Sequence, residues 1–88
     1  MLTIFLVKKS VHSSEQVALQ ALLRQLRKEA GLQQVELAVI LGKYQTFVSR
    51  YEVGEKMLDL PELRQVCHAL GIALPDFVNR YEEALKKQ

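Results

Sequence analysis

Within Gln45-Thr46-Phe47-Val48-Ser49-Arg50, an amide, two hydroxyls and a guanidinium stand among apolar residues. Such groups hydrogen-bond to a partner without making or breaking covalent bonds. The residue types that could do covalent or metal chemistry are scattered instead. Cys67 and His68 are neighbours, and on a helix neighbouring side chains point about 100° apart, so they do not converge on a metal ion. His12 stands alone, and Glu82, Glu83, Lys86 and Lys87 have the i, i+4 spacing of ordinary surface ion pairs. The sequence has no Cys-x-x-Cys, His-x-x-x-His, glycine-rich phosphate loop or Ser/His/Asp arrangement. These absences predict no catalysis, no metal and no cofactor.

The elements that must carry these side chains are helical from Ser13 onward. Ser13 with Gln16 three residues later has the spacing of a capping box. Leu19, Leu22, Leu23, Leu26 and Ala30 then form a stripe at helical spacing, which Gly31 ends. A second helix is predicted over 34–41, with Leu37, Ala38 and Leu41 inward, ending at Gly42. A third runs from about Gln45 to Glu52 and ends at Gly54. Asp59, Glu62 and Pro61 start a fourth, with Leu60, Leu63, Cys67 and Leu70 inward and Gly71 as its stop. A fifth opens at Pro75-Asp76 and carries Leu74, Phe77, Val78, Tyr81 and Leu85 on one side. Residues 1–12 differ: Leu2–Val7 reads as a short strand with no partner in the chain. It is open to being a tail without a role, an irregular arm, or a strand pairing with a second copy. The expected architecture is all-α, a five-helix bundle over 13–88 behind an extended arm at 1–12.

At 88 residues the chain is sized for one domain and leaves no room for a catalytic domain beside this bundle. Apolar residues at 49% and charged residues at 25% give a globular balance. The net charge of +2 is distributed as +3 over residues 1–56 and −1 over 57–88, which permits phosphate contact on one face without requiring it. The longest apolar run, six residues, is far short of the ~20 that span a bilayer. One cysteine and no export signal predict a reducing cytoplasm. Cys67 is expected to be a small core residue.

Gln34–Glu52 is the informative stretch. Two helices meeting steeply over a tight turn need a residue tolerant of positive φ, which is Gly42, and a small side chain at closest approach, which is Ala38. Val48 and Tyr51, three apart, pin the third helix by one side. Gln45, Thr46, Phe47, Ser49 and Arg50 are left facing out. A helix held by one stripe with a polar outer face suits insertion into the major groove of DNA.

Leu22–Val78 resembles the helix-turn-helix family of phage repressors and Cro, the lambda-repressor-like, xenobiotic-response-element (XRE) type of bacterial regulators. The matching residues are Leu26-Arg27, Gly31-Leu32, Gln34, Glu36-Leu37-Ala38, Leu41-Gly42, Val48-Ser49-Arg50-Tyr51-Glu52, Gly54, Leu70-Gly71 and Phe77. The resemblance implies that Gln45, Thr46, Ser49 and Arg50 face bases. Gln45 would pair with adenine N6/N7, and Arg50 with guanine or a phosphate. Phe47 would either meet a thymine methyl or fold back onto the protein. Gln34, Lys43 and Lys56 would meet phosphates, and Arg27 and Glu52 would form a structural ion pair. The family usually places Ser or Thr before the second and third helices. Gln33 and Tyr44 stand there instead, and loss of such a cap costs typically ~1 kcal/mol.

The function implied is a transcriptional regulator that reads a double-stranded DNA operator, paired as a homodimer. Apolar material at Leu2–Val7 and Tyr81–Leu85 motivates a second reading, an antitoxin-like partner of a small toxin protein.

Overall fold

The computed structural model describes residues 13–88. The arm expected at residues 1–12, with His12, lies outside the described residues. The described chain is all helical: α1 (Ser14–Glu29), α2 (Gln34–Leu41), α3 (Gln45–Val53), α4 (Leu60–Ala69) and α5 (Leu74–Lys86). Ser13 caps α1 by accepting from the Gln16 N–H at 3.1 Å. Asp59 and Glu62 cap α4 reciprocally, at 2.8 and 2.9 Å. Gln33 makes no side-chain cap bond, but Glu36 reaches back to its N–H at 2.7 Å and satisfies that donor. Tyr44 offers α3 no side-chain cap at all.

One core draws on every helix. Leu22, Leu23 and Leu26 of α1 meet Leu37 and Ala38 of α2, Val48 and Tyr51 of α3, Val66 and Cys67 of α4, and Phe77 of α5. Helix α1 packs on α3 and α5, α2 on α3 and α4, and α4 on α5. Tyr81 ties α5 to the start of α1 by donating to the Glu15 carbonyl at 3.0 Å. Among the described residues, no helix is long and apolar enough to cross a membrane.

Three inward assignments fail. Ala30 is exposed as the C-cap of α1. Leu60 is exposed rather than inward. It shares a face with Cys67 but sits seven residues, about 10 Å, nearer the helix start, beyond the end of the core. The buried neighbour of Cys67 is instead Val66. Val78 is also exposed, because it lies about 100° round α5 from Phe77, at the rim of the stripe.

Candidate nucleic-acid interface

The turn between α2 and α3 sets the site. Gly42 has φ +70°, a conformation that L side chains adopt only with strain. It lets the Lys43 N–H return to the Ala38 carbonyl at 2.9 Å. Ala38 is fully covered at this crossing. Val48 and Tyr51, 0% and 2% exposed, hold α3 by one side. Gln45, Thr46 and Arg50 on the other side are exposed, and Ser49 is half-buried. The Ser49 hydroxyl donates to the Thr46 carbonyl at 3.3 Å, and Arg50 lies 3.9 Å from the Glu55 carboxylate.

Phe47 behaves differently from its neighbours. It is half-buried against the core and meets Tyr51 edge-on, with ring centroids 5.7 Å apart. The ammonium groups of Lys43 and Lys56 stand 5.2 and 5.5 Å from its ring centre, within cation–π range. Lys56 also pairs with Glu62 at 3.3 Å. The two lysines are thereby gathered beside the N-terminal half of α3 by one aromatic ring. At the N-cap of the helix, next to Lys43, Tyr44 is 87% exposed.

Beneath the exposed flank lies a buried ion pair. Arg27 and Glu52 are 7% and 6% exposed and join by two hydrogen bonds, Nε to Oε2 at 2.7 Å and Nη2 to Oε1 at 3.0 Å. A third Arg27 N–H donates to the Leu32 carbonyl at 2.8 Å. The hydrogen bonds to Glu52, more than the opposing cost of burial, hold the guanidinium pKa above its ordinary value. From Glu52 the network runs outward. Gln34 Nε2 donates to Glu52 Oε1 at 3.0 Å, and Gln45 Nε2 donates to Gln34 Oε1 at 2.7 Å. The sequence places the two glutamines in separate helices and gives no sign that they touch. Their contact depends on the α2–α3 crossing and on side-chain rotamers.

Cys67 is fully buried, and burial pushes its thiol up to about 11, so it is not an activated nucleophile. Among the described residues, no group of three His, Cys, Asp or Glu side chains could hold a metal ion.

Comparison with known proteins agrees with the fold. The profile of the helix-turn-helix family matches residues 23–77. An XRE-family like protein from Pseudomonas syringae pv. tomato str. DC3000 is 35% identical, with a TM-score of 0.78 over 88% of this chain and 94% of that one. The clp gene regulator ClgR from C. glutamicum is 30% identical, with a TM-score of 0.72 over 86% and 97% of the two chains. A point mutant of the restriction-modification controller protein C.Esp1396I shares the fold, with a TM-score of 0.80 at 21% identity over 86% and 96%. No curated protein gives a significant match. With residues 23–77, more than half its length, matched, the chain belongs to the helix-turn-helix family, of the Cro/repressor XRE type, whose members are DNA-binding regulators of transcription and not enzymes.

Proposed function

We propose that this domain is a sequence-specific transcriptional regulator that places α3 in the major groove of an operator. The observation that carries the reading is the division of α3 into a buried Val48/Tyr51 seam and an exposed Gln45/Thr46/Arg50 flank. An α-helix fits the major groove, where each base pair presents its own pattern of donors and acceptors. Gln45 pairs with adenine, Arg50 with guanine O6/N7 or a phosphate, and Thr46 and Ser49 contact neighbouring edges. Phe47 contributes at most its exposed rim to a thymine methyl. Lys43 and Lys56 meet phosphates, and so does Gln34 at the start of α2, where its remaining amide N–H and the helix N-terminus favour an anion. The protein acts in the cytoplasm, where the chromosome is.

A single domain reads one half-site. Two copies related by a two-fold axis read half-sites about 34 Å apart, so a homodimer is the working form, assembled in solution or on the operator. An electrophoretic shift series on operators selected from random oligonucleotides tests the reading head. Gln45→Ala and Arg50→Ala each lose sequence preference, at a cost of about 1–3 kcal/mol per lost base contact. Binding unchanged by both contradicts the proposal. A toxin-binding role draws support from the exposed Val39 and Ile40 on α2, and co-purification with a small neighbouring gene product tests it.

A further inference from the structure

We propose that Phe47 serves DNA binding without reading a base, as a positioning residue whose ring holds the ammonium groups of Lys43 and Lys56 together as a seat for the DNA backbone. The inference rests on the proposed insertion of α3 and names the source of part of its phosphate affinity.

The two lysines reach the ring from opposite ends of one helix. Lys43 enters from the turn before α3, where its backbone N–H is tied to the Ala38 carbonyl at 2.9 Å. Lys56 enters from the loop after α3, where its backbone N–H returns to the Arg50 carbonyl at 3.2 Å. Their ammonium groups nevertheless converge, at 5.2 and 5.5 Å from a single ring centre. The ring is itself held in place, packed on the core and set edge-on to the buried Tyr51. An aliphatic side chain would fill the same space, but it has no π face to hold a cation.

A lysine stem is long and flexible, and its ammonium is strongly hydrated. Two such groups repel each other and spread apart when nothing gathers them. The ring quadrupole attracts each ammonium and offsets that repulsion. It occupies one side of each ammonium and leaves N–H donors on the other for phosphate oxygens. The Glu62 carboxylate steadies Lys56 at 3.3 Å and offsets part of the charge, leaving the seat cationic. Holding both side chains in advance reduces the rotamer freedom lost when a phosphate arrives. Phosphates carry no sequence information, so the gain is the same on every duplex. A contact from Phe47 to a thymine methyl would instead act at one base pair only.

The test uses the whole chain and two duplexes, the selected operator and an unrelated sequence of equal length. In the free protein, the NMR resonances of both lysine ε-methylene groups are displaced by the Phe47 ring current and return to ordinary values in Phe47→Leu. Phe47→Leu, measured well below its melting transition, weakens binding to both duplexes by the same factor, on the order of threefold to tenfold. Phe47→Tyr keeps the ring and stays within about twofold of wild type. In a Lys43→Ala/Lys56→Ala background, Phe47→Leu has no further effect, because the ring acts through the lysines. Lysine resonances at ordinary values in wild type overturn the inference. So does a loss confined to the operator, the signature of a base contact, or a loss that persists without the lysines, the signature of a prop for α3. Wild-type protein that binds neither duplex defeats the insertion proposal itself. Phe47→Leu binding both duplexes as tightly as wild type defeats only the present inference.

Discussion

Among the described residues, Arg27 and Glu52 stand apart from the other charged side chains, since both are buried and each satisfies the other. Removing one partner leaves a charge uncompensated in the core, and Arg27→Ala should cost about 3–5 kcal/mol, read as a large fall in the denaturant midpoint. Tyr51 makes the opposite case. Its hydroxyl is buried without a hydrogen-bond partner among the described residues, and burial raises its pKa. Tyr51→Phe should leave thermal stability unchanged or raise it by up to about 1 kcal/mol. A fall of that size would mean that the hydroxyl has a partner in solution. At this scale the sequence was only partly legible. Val48 and Tyr51 were visible as anchors because helical spacing alone puts them on one side. The Gln34–Gln45 contact and the seat of Phe47 between Lys43 and Lys56 were not, because both depend on how separate segments meet.

Helix ends were easier to read than helix faces. Glycine after α2 and α3, and Asp59 with Glu62 before α4, act through local backbone geometry that needs no tertiary context. Leu60 and Val78 misled because apolar spacing gives direction around a helix, not distance along it or the width of the covered stripe. Gly42 allows a direct test of the turn. A Cβ there would meet nothing within 4 Å, so Gly42→Ala should cost about 1–2 kcal/mol through the left-handed backbone alone, and Gly42→Asn should cost less. The α4 cap carries a pH dependence. The Asp59 N–H, opposed by burial and aided by Lys56, holds the Glu62 carboxyl below its ordinary value. As pH falls, the unfolded chain takes up this proton first. The contribution of Glu62 is therefore complete above the ordinary glutamate range and fades as pH drops through the lower folded value. Glu62→Gln should flatten that part of an acid-stability curve, and an unaltered curve would argue against the cap.

For the whole molecule, a net charge of +2 sets no strong field, so attraction to DNA must come from cations concentrated near α3. Binding should weaken steeply with salt as phosphate contacts release counterions. Lys43→Ala should reduce the slope of log K against log salt by about one and weaken all DNA sequences about equally, in contrast to the selective effect of Gln45→Ala. Bundle and turn were readable from the sequence as a unit because core stripe, stops and family motif all indicate one packing. The pairing proposed above was not, since no described residue is committed to it by local chemistry. The most direct measurement is an amide NMR titration of the folded protein with its selected operator duplex. Perturbations should be largest at Gln45, Thr46, Ser49 and Arg50 and at the start of α2. Shifts confined to α1 and α5, with α3 silent, would contradict insertion of the third helix.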